Sequence, residues 1–191
     1  MFEKLLQKIK TENVLENQDI ELVKQYFEPV LIPKNKILEE YGKTPTYIYF
    51  VVSGYVRLYH YNDEGDEITT HINCPPGFIT SYDNFIKQIK SNEMVESITE
   101  CELLRITKHD LDTLTSNSEA LKNFSILMLQ ESNSYIEKRA RELATLSAKQ
   151  RYYNLMKQSP DILYNVPLRY VATFLGMKPE SLSRIRKKVI N

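Results

Sequence analysis

The apolar positions of this chain change their period along its length. Residues 47–73 fall into short runs rich in β-branched and aromatic side chains: Tyr-Ile-Tyr-Phe-Val-Val, then Tyr-Val-Arg-Leu-Tyr-His-Tyr, then Glu-Ile-Thr-Thr-His-Ile. Runs of this kind, cut by glycines, predict half-buried antiparallel strands joined by hairpins. Four of the five glycines stand at 42, 54, 65 and 77, spaced by 12, 11 and 12 residues, which is a strand-and-turn rhythm. Gly54 permits a tight bend between two of the runs, so the sheet is expected to curl. With further strands expected over residues 94–98 and 102–106, the pattern predicts a β-roll or barrel over residues 30–107, preceded by a short helix with Asp19 as its N-cap.

After Lys108 the period becomes helical. Ser116 followed by Glu119 reads as a capping box, and neither Gly nor Pro occurs from there to residue 146. One helix of roughly 40 Å is expected, longer than a small roll can cover. Leu121, Phe124, Met128, Tyr135, Leu143 and Leu146 form one apolar stripe, and Ile126, Leu129, Ile136, Ala140 and Ala144 form a second. Two faces need two partners: the roll, and the same helix of a second copy of the chain. The seam of that homodimer is assigned to Leu121, Phe124, Met128 and Tyr135. Packing of both faces within one chain is the alternative.

Past Ser147 the pattern gives a small helical unit, with a helix over residues 148–158, a connection at Ser159-Pro160 and a new start at Pro167. Residues 168–187 fit a helix-turn-helix position by position. Counted from Leu168, the fifth residue is the small Ala172, needed where the two helices cross. The ninth is Gly176, which tolerates positive φ, and the fifteenth is Leu182. Val171, Leu175, Met177 and Ile185 fill the other core positions, and Pro179 suits the first turn of the second helix, where its missing N–H costs nothing. Lys178, Glu180, Ser181, Arg184, Lys187 and Lys188 then point outward. Set in a DNA major groove, that face brings Arg184 and Glu180 to base edges and the lysines to phosphates. The alternative is an ordinary helical hairpin with a solvated basic face.

Charge sharpens this picture. The chain has 25 Lys and Arg against 25 Asp and Glu, yet residues 138–191 hold 12 against 3, a net of +9, and residues 1–137 hold 13 against 22, a net of −9. An acidic body carrying a basic end suggests a polyanionic partner. With 26% charged and 42% hydrophobic residues the chain is expected to fold, and its charged N-terminus and interrupted apolar runs predict neither a signal peptide nor a membrane span. Two cysteines, Cys74 and Cys101, are too few for a disulfide framework or a four-cysteine metal site, which fits a reducing cytoplasm. His60, His71 and His109 are scattered, and no nucleophile elbow, P-loop or zincin motif occurs, so no metal, no cofactor and no catalysis are expected. The fold class is therefore α+β: an N-terminal double-stranded, jelly-roll-like β-roll over residues 1–116, a long dimerisation helix over 117–146, and a helix-turn-helix unit over 147–191.

This order of glycine-punctuated roll, long helix and C-terminal helix-turn-helix resembles the Crp/Fnr family of bacterial transcription regulators over nearly the whole chain. Residues 47–59 resemble the strand-turn-strand of the cyclic-nucleotide-binding roll. Residues 175–184, Leu-Gly-Met-Lys-Pro-Glu-Ser-Leu-Ser-Arg, resemble the family's recognition segment. The resemblance implies double-stranded DNA, a second copy of the chain, a small effector and RNA polymerase as partners. Two departures stand out: Pro179 occupies the place of an Arg usually found directly before the Glu, and with Asn191 as the last residue no winged hairpin is expected. In the family, the cyclic phosphate is held by groups following a Pro-Gly turn, as Gly-Glu-Leu and then Arg-Ser. Here that turn is followed by Phe78, Thr80, Ser81 and Tyr82, and the Arg-Ser place falls on Ser91 and Asn92. These six residues form the expected effector pocket. It lacks the phosphate Arg and the sugar Glu; Lys87 and Lys90 are the nearest cations, and Glu93 and Glu96 repel an anion. The roll is thus expected to sense something other than a cyclic nucleotide. A small-ligand or cyclic-nucleotide signalling module whose C-terminal unit contacts protein is the competing reading.

Overall fold

The structure, a computed structural model, describes residues 1–190. Helices α1 (Phe2–Glu12) and α2 (Asn17–Tyr26) lead into strands β1 (Glu28–Ile32), β2 (Ile37–Glu39), β3 (Tyr47–Ser53), β4 (Val56–Tyr61), β5 (Glu67–Asn73) and β6 (Gly77–Ile79). Helix α3 (Tyr82–Lys87) interrupts the roll before β7 (Met94–Ser97) and β8 (Cys101–Thr107). Helices α4 (Lys108–Asn117), α5 (Glu119–Thr145), α6 (Ala148–Gln158), α7 (Pro160–Asn165), α8 (Leu168–Phe174) and α9 (Pro179–Ile190) complete the chain. The strands form two four-stranded antiparallel sheets, ordered β1-β8-β3-β6 and β2-β7-β4-β5.

Strand β3 explains why the most apolar run of the sequence does not alternate. Tyr49 and Val51 face Val56, Val95 and Leu103 between the sheets, while Phe50 and Val52 face the helices outside. A strand buried on both faces needs no polar side. At the β3–β4 bend, Gly54 has φ +87° and a Cβ there would lie 2.4 Å from the Glu100 carbonyl, so a side chain is excluded by both conformation and space.

Helix α1 was not legible in the pattern; it places Leu5 and Ile9 with Val23 and Phe27 against the outer face of β3 and β8. The next helix begins before Asp19. Glu16 is its N-cap, and Asp19, in the third position, accepts the Glu16 N–H at 2.9 Å. The expected long helix is α5, one unbroken helix over Glu119–Thr145, and a separate short helix, α4, precedes it. Thr107 caps α4, its hydroxyl accepting the Asp110 N–H at 3.1 Å, and Ser118, not Ser116, caps α5 by accepting the Leu121 N–H at 3.1 Å.

Burial along α5 corrects part of the expected dimer seam. Leu121 and Phe124 are buried within the chain itself, packed with Phe50, Leu104 and Ile106, and Met128 packs against the same cluster. Tyr135 stands edge-on to His71 of β5, with ring centres 5.2 Å apart. Leu121, Phe124 and Met128 thus hold α5 to its own roll, while Tyr135 touches it yet stays 38% exposed. Periodicity gave both stripes but could not say which one the roll takes. The second stripe is exposed, with Ile126 at 44%, Leu129 at 38% and Ile136 at 57%, and so is the C-terminal half of the first, with Tyr135 at 38% and Leu143 at 40%.

Candidate functional site

The C-terminal helices build their turn around Gly176. Its φ of +64° lets the Met177 N–H reach the Ala172 carbonyl at 3.0 Å and its own N–H reach that of Thr173 at 2.9 Å, closing α8 with a left-handed cap. Val171, Ala172, Leu175 and Leu182 are buried there, with Met177 and Ile185 packed against them. Arg151 of α6 braces the turn, donating to the Leu175 carbonyl at 2.8 Å and the Gly176 carbonyl at 3.3 Å.

That scaffold leaves the outer face of α9 open. Lys178, Glu180, Arg184, Lys187 and Lys188 are exposed, Ser181 is half-buried, and the Arg184 guanidinium donates to the Ser181 hydroxyl at 3.3 Å. Among the described residues, every ion pair lies within residues 8–131, so none of these cations is neutralised by a carboxylate. Five of the six side chains assigned from the sequence therefore lie on α9, and the sixth, Lys178, directly precedes it.

Helix α8, by contrast, is docked on the roll. Arg57 of β4 is 1% exposed and sits between two rings, 3.8 Å from the centre of Tyr59 and 3.6 Å from that of Tyr170. Its guanidinium is paired at 2.6 Å with Glu96, its cross-strand neighbour on β7, and at 2.6 Å with Glu67 of β5. The Thr69 N–H reaches the Thr173 hydroxyl at 3.2 Å. Sequence reasoning missed Arg57; its signal was the combination of one Arg and two Glu on three neighbouring strands. Glu96 had been read as repelling an anion, whereas its charge is spent on Arg57.

A cavity of about 700 Å³, with mostly apolar walls, lies between the roll and α5. Of the six residues expected there, Phe78, Thr80 and Tyr82 line it. The other three do not. Asn92 is exposed, and Ser81 and Ser91, both buried, turn to an internal network in which Ser81 donates to Glu93 at 2.5 Å and Ser91 to Ser81 at 3.0 Å. Glu39 joins this network, accepting the Thr80 hydroxyl at 2.7 Å and the Ser81 N–H at 3.0 Å. Burial pushes its pKa up to about 7, and the Glu93 charge acts in the same direction. Lys87 is tied to Asp83 at 2.7 Å and adds no cation to the cavity. Cys74 is half-buried and Cys101 buried, and burial raises both thiol pKa values, so neither has the character of a reactive thiolate.

Residues 29–118 match the family model of the cyclic nucleotide-binding domain. The FixK2 protein of Bradyrhizobium japonicum superimposes with a TM-score of 0.75 at 15% identity, covering 85% of this chain and 84% of that one. The c-di-GMP-responsive global regulator CLP of Xanthomonas campestris gives a TM-score of 0.70 at 21% identity and 91% coverage of each chain. A Crp/Fnr-family regulator from Eubacterium rectale gives 0.69 at 19% identity, covering 91% of this chain and 83% of that one. No curated protein matches in sequence. The roll matches the cyclic nucleotide-binding domain in sequence, and the chain as a whole has the α+β fold seen in these regulators. Among the described residues no helix is long and apolar enough to cross a membrane.

Proposed function

We propose that this protein is a homodimeric, sequence-specific DNA-binding transcription regulator whose roll senses a small effector. The observation that carries the reading is the outer face of α9, where Lys178, Glu180, Arg184, Lys187 and Lys188 stand exposed and unpaired on a helix-turn-helix closed at Gly176. Arg184 and Glu180 lie one turn apart on that face, at the reach of base edges, and the lysines at that of phosphates. Pro179 offers no donor where the family usually has an Arg, so base reading falls to Arg184, Glu180 and Ser181.

Dimerisation places two such helices on one duplex. Leu129, Ile136 and Leu143 recur every seven residues along the exposed side of α5, flanked by Ile126 and Ala140, which is the spacing of a two-stranded helical seam. The roll departs from a cyclic-nucleotide receptor in two respects: residues 78–92, after its Pro-Gly turn, hold neither the Arg for the phosphate nor the Glu for the sugar, and the network around Ser81 is built on Glu39 and Glu93 instead.

Fluorescence anisotropy with a labelled pool of genomic fragments tests the reading. Binding should weaken steeply as salt rises, because each neutralised phosphate releases a counterion. A complex indifferent to salt, or none, would contradict it.

A further inference from the structure

The roll cavity contains a cation that no carboxylate of the described residues pairs with. This is Arg139 of α5, which lines the cavity and is half-buried. A guanidinium has five N–H donors. Those of Arg139 find one acceptor, the backbone carbonyl of Phe174 at the end of α8, and its face rests 3.9 Å from the centre of the Phe174 ring. Lys8, the other cation lining the cavity, is already paired with Glu131 at 3.3 Å. Desolvation draws the pKa of Arg139 down by more than the nearby Tyr135 and Glu142 raise it.

The surroundings define what could supply the missing charge. His71 lines the cavity beside Arg139 and is held neutral, its pKa pushed down to about 4 first by burial and then by the Arg139 charge, so it offers one N–H without a second positive charge. Glu93 and Glu131 also line the cavity, which disfavours a doubly charged phosphate. Away from Arg139 the walls are Leu58, Phe78, Met128 and other apolar side chains. The volume of about 700 Å³ lies within the range of small-molecule sites.

We propose that the cleft between the roll and α5 binds an amphipathic monoanion, a linear or ring hydrocarbon bearing one carboxylate, with the carboxylate on Arg139 and the apolar body along Phe78 and Met128. The guanidinium that receives the carboxylate also holds the end of α8, so occupancy of the cleft is coupled to the helix-turn-helix: a bound carboxylate competes with the Phe174 carbonyl for Arg139. This site deepens the sensor reading given above and rests on it only for that coupling. The binding step stands or falls without DNA.

Titration calorimetry of the full chain with decanoate, decanol and decylamine tests it, because the three probes share a chain and differ in charge. Decanoate should bind saturably and at least about tenfold tighter than decanol, the worth of a charge-assisted hydrogen bond, and decylamine no tighter than decanol. Arg139→Gln should bring decanoate to decanol's affinity while leaving decanol unchanged, and Arg139→Lys should retain part of the preference. Since Arg139 also braces α8, each variant is first checked by thermal melting; the wild-type comparison of probes needs no variant. Met128→Trp should weaken all three probes by filling the cleft. Equal affinity for decanoate and decanol, no saturable decanoate binding, or an anion preference surviving in folded Arg139→Gln would overturn the proposal. A protein that binds decanoate but not DNA would sink the regulator reading and leave this site intact.

Discussion

The guanidinium carbon of Arg57 lies 3.6 Å from the ring centre of Tyr170, so a strand of the roll is stacked on the first helix of the helix-turn-helix. A desolvated cation–π contact of this kind is worth about 2 kcal/mol. Tyr170→Leu should therefore loosen α8 without unfolding the roll. Hydrogen exchange should rise over residues 168–174 and stay unchanged in β3 and β8; equal exchange throughout would show that the contact does not hold the unit in place. Arg57→Met should cost more, about 3–5 kcal/mol, because Glu96 would be left as a largely buried, unpaired charge.

The two stripes of α5 predict opposite failures. Ile136→Glu puts a charge on the exposed seam and should yield a folded monomer by light scattering, with an unchanged circular dichroism spectrum. Phe124→Glu puts the charge among Phe50, Leu104 and Ile106 and should lose several kcal/mol of stability rather than simply dissociate. A folded monomer from Phe124→Glu, or an intact dimer from Ile136→Glu, would restore the seam first read from the sequence.

Glu39 and His71 give the pH dependence two signs. The folded pKa of Glu39, about 7, lies above its ordinary value of 4.5, so its contribution to stability is full below 4.5 and is lost as pH rises through 7. The folded pKa of His71, about 4, lies below its ordinary 6.5, so its contribution is full above 6.5 and is lost as pH falls through 4. Between these limits the two oppose each other. Glu39→Gln removes the first and should abolish a decline of on the order of 2–3 kcal/mol between pH 4.5 and 7 in urea titrations, leaving the rise with pH that His71 gives between 4 and 6.5. A pH dependence between 4.5 and 7 unchanged in the variant would remove Glu39 as its source.

Cyclic AMP and cyclic GMP should give no saturable heat at micromolar concentration. Ser91, the residue expected at the place of the phosphate Arg, has its hydroxyl engaged with Ser81 at 3.0 Å, and Glu93 stands two residues on. Tight binding of either nucleotide would mean that backbone groups or Arg139 rebuild the phosphate site.

How far the chain could be read without coordinates follows the physics of each segment. The roll was legible because β-branched runs and glycines at regular spacing are local signals, and the turn at Gly176 because positive φ and a small crossing residue have fixed offsets. Helix α1 was missed because its apolar residues, Leu5 and Ile9, sit among lysines and glutamates, and only the outer face of β3 shows why they are needed. The stripes of α5 were both visible, yet their assignment depends on Phe50 and Ile106, far away in sequence. Arg57 and Arg139 were invisible as partners for the same reason: what buries each of them, Tyr170 and Phe174, lies more than 30 residues away.

Whether α9 reads DNA sequence is settled by selecting genomic fragments with the wild-type chain and then measuring Arg184→Ala and Lys188→Ala on the enriched site and on random DNA. Arg184→Ala should lose about 1–3 kcal/mol on the enriched site with random DNA nearly unaffected, whereas Lys188→Ala should weaken both alike and lower the salt slope by about one. No enriched site, or equal losses on both DNAs for Arg184→Ala, would contradict base reading by this helix.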